Sequence, residues 1–351
     1  MRFEETRIVR ASRNGWEIVV IEVASGADIR TATASWSESP QRIFDEICAQ
    51  PRPAGHVITF ANEKGGVGKS TLAFHTAVAL ASAGAKVVAI DLDARQGSLA
   101  KALEKRAATA RVLGAPIACP SASRVEKNGA GQILQEVGRL GADARFIILD
   151  TPGNDTPLAR RAIALADTLV TPINASDFDL DLLGRFDPVD RRLLEAGPFA
   201  RTVGDLGAER EHRLGAAPDW IIVKNRTRAK ERRQQLRIDS ALAQLVDAFG
   251  LRVADSIAER VTYRELLHYG LVQSDLPRIP QLARHRRRSD GAELLRFLSG
   301  LRLPTQAVAT ERPQTRKPLH APSHRDRYLQ GLRADAGCRV HTDRRNSTPA
   351  G

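Results

Sequence analysis

Val57–Ala73, VITFANEKGGVGKSTLA, reads as a buried strand, a phosphate-cradling loop and the start of a helix. Gly65, Gly66 and Gly68, with Val67 among them, let the backbone turn its N–H groups inward around anionic oxygens. The helix starting at Ser70 adds the positive end of its dipole. Lys69 then places an ammonium on the β- and γ-phosphates, Ser70 supplies a hydroxyl for Mg²⁺, and Thr71 is next in line for the α-phosphate. A glycine-rich turn holding nothing would not need a Lys-Ser pair directly after its last glycine. The ligand class is therefore a nucleoside triphosphate with Mg²⁺.

Outward from this loop, Ser70–Ala83 are good helix formers ended by Gly84, and Lys86–Ile90 is an apolar run too short for a helix. That run predicts a central parallel strand with Asp91 and Asp93 at its C-terminal edge, where ligands bind in such sheets. A carboxylate pair there can hold Mg²⁺ waters or orient an attacking water; an acidic helix-entry turn explains one Asp better than two. Residues 107–130 are Ala-, Pro- and Gly-rich and read as a connection with a short strand near Ile117. Arg145–Gly153, RFIILDTPG, has the Walker B pattern: a strand ending in Asp150, which would hold Mg²⁺ through water, then a Thr151-Pro152-Gly153 loop able to sense the γ-phosphate. Ala166–Asn174 reads as a strand, Phe178–Pro188 as the beginning of a helix, and Asp219–Asn225 as the last clear strand. Glu259–Leu271 and Gly291–Leu303 read as closing helices, the second better explained by core packing than by membrane anchoring. The fold class is α/β: a doubly wound, mostly parallel sheet flanked by helices.

The flanks differ in kind from this body. Residues 1–54 hold a hairpin candidate around Asn14-Gly15, a short helix from Ser39 and a proline-rich linker. Residues 304–351 are Pro-, Arg-, Thr- and His-rich without periodicity, which predicts a disordered basic tail. The nucleotide-binding body is expected over 55–303. Net charge is +12 with pI near 10.2, pointing to a polyanionic partner. Residues 224–237, KNRTRAKERRQQLR, carry seven basic residues and one acidic. A helix from about Ala229 would gather guanidiniums on one side, so Arg226, Arg228, Lys230, Arg232 and Arg233 are the expected DNA contacts, suited to duplex phosphates because no aromatics are interleaved. Cys48, Cys119 and Cys338 are too scattered for a disulfide framework or a zinc site. No run of about 20 apolar residues is present to span a bilayer, so a cytoplasmic protein is expected.

Glu63 stands where the first glycine of an ordinary P-loop would be, and Lys64 precedes the double glycine. This form, KGGVGKST, resembles the deviant Walker A of the ParA/MinD ATPases. AIDLDARQGSLAKALEKR, DTPGNDTPLARRA, ADTLVTPINASDFDLDLLGRFDP, DWIIVKNR and ERVTYRELLHYGL resemble, more narrowly, the MipZ type of division-plane positioning ATPase within that family, over about residues 56–303. The resemblance implies ATP as cofactor, a homodimer sandwiching ATP, and a Lys64 that reaches the partner protomer's phosphates. It implies that Asp93 positions the nucleophilic water and Asp91 supports the metal shell. By the same resemblance Asn225 reads adenine; as a residue in its own setting it is equally a capping Asn. The implied partners are nucleoid DNA bound without sequence preference, a ParB-like centromere-binding protein, and FtsZ, whose assembly is blocked away from midcell. A ParA-type partition ATPase moving chromosome, plasmid or other cargo is the alternative within the family. A DNA-binding scaffold with a structural nucleotide is the alternative from another class.

Overall fold

The computed structural model describes residues 5–12, 15–22, 38–125, 131–174, 176–228, 231–279 and 291–304. The tail beyond Pro304, Lys230 and Asn14 lie outside them. The chain divides into two compact units, 1–39 and 40–351. In the first, β1 (Glu5–Ser12) and β2 (Gly15–Glu22) pair antiparallel with Ser12 opposite Gly15, the hairpin expected there.

The second unit is built on seven parallel strands. β3 (His56–Phe60) lies at the centre, with β6 (Phe146–Asp150), β4 (Val87–Asp91) and β5 (Ser121–Arg124) on one side. On its other side lie β7 (Thr168–Asn174), β10 (Asp219–Asn225) and β11 (Arg252–Ala254). The chain winds outward from β3 through β4 and β5, returns to β6, and then crosses β3 to β7, so the winding reverses at β3, where such sheets open a crevice for ligands. Continuous apolar runs form these inner strands because both faces are covered: Val57, Ile58, Thr59 and Phe60 are all buried, as is every residue of β4 and β6. Each fully buried Ile or Phe is worth about 1.5–3 kcal/mol over exposure.

The helix after the loop, α2 (Lys69–Ser82), has nine consecutive or near-consecutive buried residues instead of one apolar stripe, so it is an inner helix wrapped by the core. α3 (Ser98–Leu113) runs into the stretch expected to be a connection: Ala107, Ala108 and Ala110 continue it to a left-handed Gly114 cap. Alanine is the strongest helix former, so this stretch is helix and not connection. Beyond it the edge strand is β5; Ile117 instead packs with Leu266, Leu271 and Leu276. The helix expected over Phe178–Pro188 is a single turn, α6 (Asp177–Leu180), followed by an antiparallel hairpin, β8 (Gly184–Phe186) with β9 (Leu193–Ala196). The short helix assigned by sequence to the N-terminal appendage, α1 (Pro40–Cys48), buries Ile43, Phe44 and Ile47 in the body core beside Phe199 and Trp220. Further helices are α4 (Gln132–Gly141), α5 (Pro157–Leu165), α7 (Pro198–Leu214), α8 (Arg232–Phe249), α9 (Val261–His268) and α10 (Gly291–Gly300). Among the described residues no helix is long and apolar enough to cross a membrane.

Candidate functional site

Register brings the carboxylates together. Phe60 pairs with Asp150, and Asp150 with Asp91, so both aspartates finish their strands at the same level, next to the strand that feeds the P-loop. Asn62 fixes the start of that loop: its Nδ2 donates to the Pro172 carbonyl of β7 at 2.8 Å, and its Oδ1 accepts the Lys64 N–H at 2.9 Å.

The loop then needs glycine for two different reasons. Gly66 and Gly68 have φ of 78° and 100°, in the left-handed region. At Gly68 a Cβ would also lie 2.1 Å from Asn225 Nδ2. A Cβ on Gly65 or Gly66 would meet nothing within 4 Å, leaving a cradle bounded by backbone. The Thr151-Pro152-Gly153 turn closes on it from the β6 side, since a Cβ on Gly153 would come within 2.9 Å of Gly65. Thr151 is tied to the Phe60 carbonyl through both its N–H and its hydroxyl.

Lys69 is 6 % exposed, and its ammonium donates to the Lys64 carbonyl at 2.9 Å. Burial lowers its pKa, opposed by Asp150 and then Asp93. Asp150 is 1 % exposed, and among the described residues neither of its oxygens has a fully formed hydrogen bond. Burial pushes its pKa up to about 8, Asp91 adds to that, and the Ser70 hydroxyl and Lys69 ammonium act against it. A buried carboxyl with both oxygens left free of a fully formed hydrogen bond has the chemistry of a hard-cation ligand. Together with the open glycine cradle, this donor set fits a Mg²⁺–triphosphate complex. Thr71, half-buried, follows Ser70 in the first turn of α2.

Asp91 and Asp93 have separate surroundings. Asp91 Oδ1 accepts the Asp93 N–H at 3.0 Å and Oδ2 the Ala100 N–H at 3.0 Å, so this buried carboxylate organises the loop and the first turn of α3. Asp93 is half-buried, and its Oδ1 accepts the N–H groups of Arg95 and Gln96 at 3.1 and 2.9 Å. Arg124, from β5, braces the same turn by donating to the Ala94 carbonyl at 2.8 Å.

Lys64 Nζ lies 2.9 Å from Asp179 Oδ1, and Asp179 is fully buried on α6. The Ser176 hydroxyl donates to the other oxygen, Oδ2, at 2.6 Å. Sequence reasoning missed Asp179, and also Asn62. The signal was there only as two aspartates in FDLDLLG, and nothing local says which one faces the loop. Asn225 is buried and its amide is engaged on both sides: Nδ2 donates to the Val67 carbonyl at 2.8 Å and Oδ1 accepts the Arg226 N–H at 3.0 Å. It therefore clamps the P-loop to the end of β10 and caps no helix.

The basic cluster is less uniform than its sequence. Arg226, Arg232 and Arg233 are exposed. Arg228 is exposed too, but its guanidinium pairs with Glu259 at 2.8 Å and with Glu231 at 3.7 Å. Helix α8 begins at Arg232, so Arg226 and Arg228 precede it instead of sharing one of its faces.

A parallel sheet wound in this order, with a KGGVGKST loop at its central strand and a Walker B aspartate on the neighbouring one, defines a P-loop nucleoside triphosphatase of the deviant Walker A class. Comparison with known proteins agrees. The family model for ATPase MipZ matches residues 56–305, and the chain belongs to that family. The chromosome-partitioning ATPase Soj of Thermus thermophilus is 34% identical over 144 residues; the match covers 35% of this chain and 57% of Soj. Among solved structures, the cell division ATPase MinD of Pyrococcus furiosus aligns over 71% of this chain and 98% of its own, at 16% identity and a TM-score of 0.48. Apo McdA of Cyanothece aligns over 70% and 98% at 20% identity and a TM-score of 0.45.

Proposed function

We propose that this chain is a slow, switch-like ATPase that dimerises on ATP, binds nucleoid DNA and restricts FtsZ assembly to midcell. The observation that carries its enzymatic part is the buried Asp150 carboxyl, neither oxygen in a fully formed hydrogen bond among the described residues, beside Ser70 at the foot of the P-loop. Mg²⁺–ATP would supply the compensating cation and the phosphoryl group. Of this chain's residues, Ser70 and Asp150 would hold the metal, with Asp91 supporting them from the loop it organises. The backbone of Gly65–Gly68 and Lys69 would neutralise phosphate oxygens, Thr71 would bond the α-phosphate, and Asn225 would border the base while clamping the loop. Asp93 would orient the attacking water.

Lys64 carries the switch in this reading. Leaving Asp179, it would reach the partner protomer's phosphates, so the homodimer is favourable only while the γ-phosphate is present. Arg226, Arg228, Lys230, Arg232 and Arg233 would then present two basic surfaces on one rigid dimer. Recruitment by a ParB-like protein and location on the nucleoid in the cytoplasm complete the reading. We divide the chain functionally into an extension to residue 54, an ATPase domain over 55–303 and a basic tail over 304–351, with α1 packing on the ATPase domain.

Family membership supports FtsZ as target; the partial match to a chromosome-partitioning ATPase supports partition of a cargo as the second reading. Purified protein with Mg²⁺–ATP should release phosphate slowly and slow FtsZ polymerisation. Polymerisation unaffected by the ATP-bound dimer removes the division reading and leaves partition.

A further inference from the structure

At the opposite end of β3 from the P-loop, α1, the Gln50–Pro53 segment, α4, α5 and α7 enclose a cavity of about 230 Å³. Its walls are aliphatic, formed by Ile47, Val57, Leu134, Val137, Leu165 and Leu214, and among the described residues no aromatic ring lines it. Its polar edge holds Cys48, Gln50, Arg52 and Arg210. Arg210 is 4 % exposed, and its Nη2 donates to Asp167 Oδ1 at 2.7 Å. Arg52 reaches the same oxygen at 2.5 Å and is otherwise exposed. The second oxygen of Asp167 accepts the Val57 N–H at 2.9 Å. Two guanidiniums thus share one carboxylate; Arg210 Nη1 donates to the Ala216 carbonyl, and its Nε has no hydrogen-bond partner among the described residues.

The remaining charges do not balance this excess. His56, 3.8 Å from Asp167, is held towards its neutral form chiefly by burial. Arg213, next to the wall residue Leu214, is already matched by Glu209 and Asp45. Asp219 is taken by Arg252. Among the described residues, Arg52 and Arg210 against Asp167 leave one positive charge at the edge of the cavity beside its apolar interior.

We propose that this cavity binds a small aliphatic monocarboxylate, its chain against the Leu134, Val137 and Leu165 wall and its carboxylate on Arg52 and the edge of Arg210. Its volume is below the roughly 300–1,000 Å³ of ordinary ligand pockets, which limits the occupant to a short chain. Walls without rings select an aliphatic body over an aromatic one. A single excess charge matches a monoanion and leaves a phosphate dianion under-compensated, and a planar guanidinium fits a carboxylate in two-point geometry. The site is independent of the nucleotide reading and lies on no residue assigned to it.

Cys48 provides the reporter, being an exposed free thiol on the cavity edge. In the full chain carrying Cys119→Ser and Cys338→Ser, sodium octanoate should slow the reaction of Cys48 with a thiol reagent in a saturable manner. Octan-1-ol, with the chain but no charge, and inorganic phosphate, with the charge but no chain, should not. Arg52→Gln should raise the half-saturating octanoate concentration about tenfold, the effect of losing one charge-assisted hydrogen bond. Gly138→Leu should abolish protection, because Gly138 lines the cavity on α4 and a Cβ there meets nothing. Both variants should bind ATP as the parent does, which certifies their folding. Octanoate without effect on Cys48, octan-1-ol protecting equally, or undiminished protection in Gly138→Leu overturns the proposal.

Discussion

Lys64 and Lys69 are five positions apart, yet one is half-exposed against a buried carboxylate and the other is enclosed beneath the loop, donating to a backbone carbonyl. Removing each should therefore fail differently. Lys69→Gln is expected to lose ATP binding in an equilibrium titration, whereas Lys64→Ala retains it and stays monomeric with ATP by sedimentation. Asp179→Asn removes the competitor for Lys64, so the dimer should form at several-fold lower protein concentration; weaker dimerisation would place Asp179 in the interface instead. His75 offers a test unrelated to the nucleotide. It is 3 % exposed, both ring nitrogens lack partners among the described residues, it packs edge-on against Tyr263, and burial lowers its pKa to about 4. The unfolded chain takes up a proton near pH 6.5 that the folded chain refuses until about pH 4, so stability is present above the unfolded pKa and falls as pH drops through that window. The ceiling on this loss is about 3 kcal/mol. His75→Leu should flatten the melting temperature between pH 6.5 and 4 and leave neutral-pH stability unchanged or improved; an equally steep acid loss would assign it to other groups.

Elements show where short-range chemistry suffices and where it does not. The P-loop and its helix are legible because Gly66, Gly68, Lys69 and Ser70 each answer a local requirement. Gly68→Ala combines a left-handed φ of 100° with a clash against Asn225, so it should abolish nucleotide binding, and Asn225→Ala added to it should restore binding only in part because the φ strain remains. Full restoration would show that the Asn225 clash alone demands glycine. Elsewhere local chemistry misleads. The alanine-rich run after Arg106 reads as a connection although alanine extends α3, and FDLDLLGRFDP reads as a helix although only one turn forms before β8. The hairpin wins there because β8 and β9 pair with each other and Gly184 packs where a Cβ would strike Leu193, an arrangement that no helical periodicity reports.

At the scale of the molecule, basic charge is spread over body and tail, and its distribution decides how DNA would be held. Arg232 and Arg233 stand at the N-terminus of α8, where the helix dipole disfavours cations and nearby phosphates would relieve them. Arg228 already has acidic partners. Replacing Arg232 and Arg233 by Ala should weaken ATP-dependent binding to unrelated duplexes equally and make the log–log salt slope shallower by about 0.9 for each phosphate no longer neutralised. Arg228→Ala should do less. Nucleotide-dependent binding that survives both arginine substitutions and disappears on deleting 304–351 would assign DNA to the tail.

The sequence alone determined the fold class, the loop, the two strand-end aspartates and the family, because each rests on residues adjacent in the chain or on alternating strand and helix periodicity. Only the tertiary structure decided that α1 belongs to the body, that Asn225 clamps Val67 and that Asp179 holds Lys64. Those pairs are separated by as many as 158 residues, as with Asn225 and Val67. Such pairings arise from sheet register and winding, which bring distant side chains to one edge, and neither propensity nor spacing encodes which of two neighbouring carboxylates will face which amine.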